Sequence, residues 1–144
     1  MKIEVRESVF NPWQEIQDYQ GSLGINGSYG ATASFVGTMR DFNEGDNVQS
    51  MTLEHYPGMT EKHLQKIIVD ATQKWQLLDA LIIHRVGEIK PDDSIVLVAV
   101  WTAHRAQAFD ACRFIMEELK SNAPFWKKEV LDDGVRWVEK NTPG

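Results

Sequence analysis

The pattern of hydrophobic and polar positions predicts seven strands. Alternation with a period of two marks residues 2–7, where Ile3 and Val5 share a face, and residues 29–40, where one face runs from Tyr29 to Met39. Residues 94–101 form an almost uninterrupted apolar run, which is typical of a strand in the middle of a sheet. Four further strands are predicted, at 48–56, 80–86, 125–131 and 134–138. The strand at 48–56 is expected to pair with the strand at 29–40, and the last two strands are expected to form a hairpin.

Three stretches have helical spacing. Asn11 as a cap and Pro12 at the first position predict a helix to about residue 20. A second helix is expected from a cap at Thr60 to Trp75. The third runs from about 103 to 120 and carries an apolar stripe that includes Cys112 and Met116. The order βαββαββαββ predicts an α+β fold, with helices packed on a mainly antiparallel or mixed sheet.

Composition and charge narrow the class of protein. The chain has 144 residues and a net charge of −6, which suits one domain over residues 1–144 and argues against nucleic acid as a partner. No apolar run reaches the roughly 18 residues that a membrane helix requires, and the first ten residues alternate like a strand without a signal-peptide core. Cys112 is the only cysteine. A cytoplasmic location is therefore expected. The four histidines lack metal-ligand spacing, so we expect neither a metal nor a cofactor.

Two lysines are the strongest candidates for chemistry. Lys120 lies four residues after Met116, on a helix face that is otherwise apolar. Pro124 prevents the helix from continuing, so the chain must turn and can bring Lys127 back towards Lys120. Two ammonium groups held close together would lower each other's pKa, and a lowered pKa suits a nucleophile or an acid–base group. The alternative is that Lys120 only interacts with the helix dipole.

A basic pair precedes the same helix at its other end. His104 and Arg105 are unfavourable there for the helix dipole, whereas an anion site would explain them. Arg40, after the long strand, is a further candidate, although each of the three cations could simply be solvated. Arg105 and Lys120 are fifteen residues apart, or roughly 22 Å along a helix. If both serve one small ligand, the site must be shared between two subunits.

Seven segments together carry a family resemblance. They are FVGTMR (35–40), LEHYPGMTEK (53–62), HRVGE (84–88), AHR (103–105), FIMEELK (114–120), PFWKKE (124–129) and RWVE (136–139). In order and spacing the chain resembles the large, catalytic subunits of molybdopterin synthase over about residues 28–140. The resemblance implies an α/β-hammerhead fold of the α+β class and a sulfurtransferase of molybdenum cofactor biosynthesis.

The resemblance also implies a reaction and partners. Cyclic pyranopterin monophosphate becomes the dithiolene molybdopterin, with sulfur supplied by the C-terminal Gly-Gly thiocarboxylate of a small ubiquitin-like carrier. A homodimer of large subunits would bind one carrier at each end, as a heterotetramer. The implied catalytic residues are Lys120 and Lys127. The implied substrate-binding residues are Arg40, Phe35 and Met116, with His104 and Arg105 coming from the partner subunit.

Departures and alternatives remain. Met39 stands where the family usually has valine, and residues 141–144 replace a longer, more basic tail, so contacts of that tail are uncertain here. A second hypothesis is a non-catalytic scaffold that binds a ubiquitin-like tail or a pterin. A third is an unrelated acyltransferase or hydrolase with Lys120 as nucleophile, for which the sequence shows no accompanying triad.

Overall fold

A computed structural model describes residues 1–43 and 45–138 of the chain. Within them the elements follow one another as β1 (Lys2–Arg6), α1 (Pro12–Ser22), β2 (Ala31–Thr38), β3 (Phe42–Asn43), β4 (Asp46–His55), α2 (Met59–Trp75), β5 (Asp79–Arg85), β6 (Gly87–Ile89), β7 (Ser94–Thr102), α3 (Arg105–Asn122), β8 (Phe125–Leu131) and β9 (Gly134–Val138). The C-terminal tail at 141–144, whose contacts the sequence left open, lies outside the described residues.

The first sheet is the central layer of the fold. Its strand order is β1-β5-β7-β2, with β1 parallel to β5 and the other pairs antiparallel. Side chains of β5 and β7 alternate between two cores: Ile82 and Val98 pack with α2 and α3, whereas Ile83 and Trp101 pack on the face that carries α1. The apolar run of β7 therefore reflects a strand covered on both faces, as predicted.

The second sheet forms the wall of the candidate site. Its order is β3-β4-β8-β9, and β6 also pairs with β4. Leu53 of β4 lies opposite Lys127 of β8, and the buried residues Met39 and Ile89 pack on the same small core. The predicted α+β class, with helices on mixed and antiparallel sheets, is confirmed. None of the three helices of the described residues is long and apolar enough to cross a membrane.

Several sequence-based details were wrong. β2 ends at Thr38, after a register shift at Gly37, and does not pair with β4. Instead β3, which the pattern did not show, makes a short hairpin with β4 and turns the chain into the second sheet. The three-residue β6 was also missed. Strands this short carry too few alternations to be seen.

The predicted cap of α2 was wrong as well. The helix begins at Met59, with Gly58 as its N-cap at a φ of +83°, a backbone conformation that favours glycine. The hydroxyl of Thr60 accepts a hydrogen bond from Tyr56 N (3.0 Å) and donates one to the carbonyl oxygen of Pro124 (3.1 Å). Thr60 thus joins the start of α2 to the segment that leads into β8.

Substitution of Gly30 tests how tightly the chain is packed at the residues that precede α3. A Cβ at Gly30 would lie 2.4 Å from the carbonyl oxygen of Ala103, so Gly30→Ala must displace backbone. We expect a loss of about 1–3 kcal/mol in the free energy of unfolding, measured by urea denaturation. Gly21→Ala is the matched control, because Gly21 lies in α1 with open space around it and should gain up to about 1 kcal/mol. Equal stability of the two variants would contradict this packing.

Candidate active site

The turn after α3 brings two lysines together. α3 ends at Asn122, and the amide of Ala123 still donates to the carbonyl of Leu119 (3.3 Å). The chain then turns at Pro124, and β8 begins at Phe125. Because β8 pairs with β4, the chain runs back past the end of α3, and Lys127 comes within hydrogen-bonding reach of Lys120.

Both lysines line a cleft between the two sheets. Its volume is about 520 Å³, within the range of small-molecule sites. The walls come from the end of β2 and the residues after it, from α3 and from β8, and they include Phe35, Arg40, Lys120, Lys127 and Glu129. Three cations thus face one cleft in a chain whose net charge is −6, which suits an anionic ligand.

The Lys120 amine is electrostatically unusual. Burial lowers the pKa of Lys120 to about 8, and the charge and hydrogen bond of Lys127 act in the same direction. A hydrogen bond between two amines requires that one of them be neutral, because an ammonium has no acceptor. At pH 7 a group with this pKa is unprotonated about one tenth of the time. Lys120 can therefore exchange a proton near neutral pH.

Arg40 lines the cleft beside residues that constrain its position. The backbone of Met39, just before it, is bonded on both sides to the turn after β6: Met39 N donates to Asp93 O, and Asp92 N donates to Met39 O, each at 2.9 Å. The Arg40 guanidinium lies 5.0 Å from the centre of the Phe42 ring, a cation–π contact. The hydrogen bonds of the Met39 backbone and the contact with the Phe42 ring together limit the positions from which the Arg40 guanidinium can bind a ligand.

A second groove, of about 520 Å³, adjoins the cleft on the outer face of α3 and β2. Phe35 and Lys120 line both the cleft and the groove, whereas Met116 lines the groove but not the cleft. Phe109 stands 69% exposed at the groove wall, and Phe35 is 43% exposed. These three residues, Phe35, Phe109 and Met116, form an apolar strip that reaches Lys120.

His104 and Arg105 lie away from these lysines in the protomer. His104 is the N-cap residue of α3 and Arg105 its first residue, and both are exposed. Neither lines the cleft or the groove. Arg105 and Lys120 sit at opposite ends of one continuous helix, roughly 22 Å apart. The structure therefore brings together Phe35, Arg40, Lys120 and Lys127, and leaves the His-Arg pair at the far end.

One buried acid at the cleft was not singled out from the sequence. Glu129 is 5% exposed and pairs with Arg136 (3.0 Å), while both carboxylate oxygens accept from the Asn43 side chain (3.2 and 3.1 Å). Lys127 and Glu129 are two residues apart on β8, so they share a face. That spacing was the available signal for Glu129.

Two further residues are buried. His84 is a buried strand residue whose Nδ1 lies 2.8 Å from the carbonyl oxygen of Arg85. Cys112 is a core residue, and burial raises the pKa of its thiol to about 11, which keeps it unreactive. Among the described residues, no group of His, Cys, Asp and Glu is arranged to hold a metal ion.

A cleft lined by three cations, with a lysine of lowered pKa, in an α+β fold has the features of an enzyme active site that suits an anionic ligand. A family model described as MoaE protein matches residues 7–122. The chain therefore belongs to the MoaE family, which confirms the resemblance drawn from the sequence.

Named relatives agree with this assignment. The molybdopterin synthase catalytic subunit of Ralstonia nicotianae is 54% identical over 137 residues, covering 95% of this chain and 76% of the relative. That of Pseudomonas aeruginosa is 51% identical over 140 residues, covering 96% and 91%. These names bear out the expected enzyme, a molybdopterin synthase catalytic subunit and hence a sulfurtransferase.

Solved structures share the fold. The crystal structure of molybdopterin synthase from Staphylococcus aureus matches with a TM-score of 0.84 and 31% identity, covering 95% of this chain and 96% of the other. A chain from a Helicobacter pylori complex of subunits 1 and 2 of molybdopterin-converting factor matches with a TM-score of 0.80 at 20% identity, over 98% and 93%.

Lys120 should lower the stability of the fold at neutral pH. Its folded pKa of about 8 lies below the unfolded value of 10.5, so between these pH values the unfolded chain binds more protons. Stability should then rise with pH by up to about 1.4 kcal/mol per unit across this window. Lys120→Met removes the buried ammonium and should be more stable than the wild type at pH 7, with the advantage shrinking by pH 10.5. Urea unfolding at both pH values measures the difference.

Lys128→Met is the control, because Lys128 lies on the other face of β8, over the Trp137 ring at 5.8 Å. The difference in stability between Lys128→Met and the wild type should be the same at pH 7 and pH 10.5. A Lys120→Met variant that is less stable than the wild type at pH 7, with no change towards pH 10.5, would show that burial of the Lys120 ammonium does not lower the free energy of unfolding.

Proposed function

We propose that the cleft transfers sulfur from the C-terminal thiocarboxylate of a small ubiquitin-like carrier to cyclic pyranopterin monophosphate. The observation that carries the proposal is the Lys120–Lys127 pair, in which one buried amine has a pKa near neutrality. Family membership and the names of the relatives support this reaction over the scaffold and hydrolase hypotheses. Both substrates are anions, which suits a cleft lined by three cations.

Lys120 is the proton-transferring residue in this proposal. When the thiocarboxylate sulfur attacks the pterin carbon, a proton must be supplied to or taken from the reacting atoms. An amine with a pKa of about 8 can do either at neutral pH. The same amine could instead take the acyl group of the carrier transiently. Water then attacks the acyl carbon and the acyl–sulfur bond breaks, which leaves the sulfur on the pterin and a carboxylate on the carrier. Lys127 stabilises that carboxylate and helps to position the tail.

The pterin phosphate would be held by cations from two subunits. Arg40 supplies one within the protomer, and His104 and Arg105 of a second copy supply the others. Arg105, Phe109, Cys112, Met116 and Lys120 recur at helical spacing along one face of α3. A two-fold axis across this face would set two α3 helices antiparallel and bring Arg105 of one copy to Lys120 of the other.

The exposed apolar strip supports such a homodimer. The second copy would bury Phe109 and Phe35, and Met116 would form part of the pocket wall beneath them. With one carrier bound at each end the assembly is a heterotetramer. The Helicobacter pylori protein, which shares the fold, was solved as a complex of two different subunits. We place the assembly in the cytoplasm, which suits the unpaired, buried thiol of Cys112.

Lys120→Ala should abolish product formation while the carrier still binds. The reason is that binding uses the whole cleft, whereas the proton is handled by this one amine. The assay combines thiocarboxylated carrier with the pterin precursor and detects the dithiolene by mass spectrometry, with carrier affinity from calorimetry. Lys128→Ala, on the outer face of β8, is the matched control and should retain activity. Near-normal turnover by Lys120→Ala would overturn the role of Lys120, whereas binding without turnover in the wild type would favour the scaffold.

Mixed dimers test the shared site. Arg105→Ala and Lys120→Ala homodimers should each be inactive or strongly impaired, because every pocket lacks one group. Subunit exchange should produce heterodimers with one intact and one doubly defective pocket, and thus up to about half of the wild-type activity per dimer. Exchange verified by native mass spectrometry without any recovery of activity would contradict a composite pocket.

A further inference from the structure

A small cavity adjoins the cleft and shares both lysines with it. Its volume is about 50 Å³. Its polar walls are His84, Lys120 and Lys127, and apolar side chains that include Leu53 and Phe125 close the rest. A buried water needs at least about 10–15 Å³ of such space and two to four polar partners. The cavity meets both requirements.

His84 is fixed in this cavity by two contacts. Its Nδ1 lies 2.8 Å from the carbonyl oxygen of Arg85, and its ring stacks on Phe125 with the centres 3.9 Å apart and the planes at 15°. A carbonyl oxygen only accepts, so Nδ1 carries the proton. The remaining ring nitrogen, Nε2, is therefore an acceptor, and it is the polar atom that the ring has left to offer.

The surroundings keep this imidazole neutral. Burial is the main reason that the pKa of His84 falls to about 3, and the charges of Lys120, Lys127 and His55 lower it further, against the opposing effect of the Arg85 carbonyl. At neutral pH the ring therefore does not add a third cation to the pair of lysines. It places a lone pair among them instead.

We propose that His84 is a positioning residue of the lysine site, whose Nε2 accepts a hydrogen bond from a water molecule that contacts Lys120. The inference rests on the proposed function of Lys120. With one hydrogen directed to His84, the water can accept from the Lys120 ammonium through its oxygen. It can also donate its second hydrogen to the neutral Lys120 amine. A lysine that gains and loses a proton in a buried site thus keeps a partner in both states.

Two substitutions separate the acceptor from the rest of the histidine. In His84→Asn the amide N–H can replace Nδ1–H as donor to the Arg85 carbonyl, but nothing replaces Nε2. In His84→Gln the longer side chain places its amide near the position of Nε2. Both variants lose the stacking on Phe125 equally. They differ in which ring nitrogen they replace, Nδ1 in His84→Asn and Nε2 in His84→Gln, so a lower pKa of Lys120 in His84→Asn than in His84→Gln reports on the Nε2 acceptor.

The first readout is the pKa of Lys120 itself, obtained by competitive acetylation across pH 6–11 with peptide mass spectrometry. Loss of an acceptor destabilises the ammonium, so His84→Asn should lower the pKa of Lys120 by roughly one unit relative to His84→Gln. The second is turnover, which should be about ten-fold lower in His84→Asn than in His84→Gln, with little difference in KM. Equal labelling profiles and equal turnover in the two variants would overturn the proposal.

The labelling readout does not depend on sulfur transfer. A wild type that transfers no sulfur would refute the proposed function, yet the pKa of Lys120 would still test the role of His84. Should either variant fail to fold, long-range ¹H–¹⁵N NMR of the wild type decides. It should show the Nδ1–H tautomer, neutral from pH 5 to 9, with an Nε2 resonance that moves as Lys120 titrates and stays constant in Lys120→Met. An Nε2–H tautomer would refute the proposal.

Discussion

The burial of one amine beside another is the constraint on which the rest of the site depends. Lys120 lies in the last turn of α3, and the turn at Pro124 and the β4–β8 pairing bring Lys127 against it. Desolvation and like charge both act against the ammonium form, which brings the Lys120 pKa close to neutrality. The fold tolerates this cost because the apolar cores on both faces of the first sheet hold α3 and the sheet in place.

α3 connects this chemistry to the proposed assembly. Its inner face is buried against α2 and the first sheet, while its outer face carries an apolar strip that ends at Lys120. Its N-terminus carries His104 and Arg105, with no acidic residue in the first turn to offset the charge of Arg105. The length of α3 therefore fixes the distance between the two proposed pockets. Each pocket would combine the C-terminal end of α3 from one copy with the N-terminal end of α3 from the other copy.

Much of this could be predicted from residue patterns. The apolar run of β7 and the stripe of α3 are long, so their periodicity identifies central elements. The β2–β4 pairing failed because sequence neighbours are not always sheet neighbours, and a two-residue hairpin redirects the chain. Glu129 and His84 could not be assigned from spacing alone, since their surroundings depend on which strands β8 and β5 contact. Local patterns thus indicated Lys120 and Lys127, whereas the groups around them required the tertiary structure.

The central claim is that the carrier tail ends at the Lys120 amine. Its most direct test is a carrier whose C-terminal glycine is replaced by an aldehyde, mixed with the protein and reduced with cyanoborohydride. An aldehyde condenses with a neutral amine, so the lysine of lowered pKa should be labelled first. Peptide mapping should place the carrier on Lys120, and Lys120→Met should remove that adduct. Labelling spread over exposed lysines such as Lys62 and Lys66, and unchanged in Lys120→Met, would contradict the account.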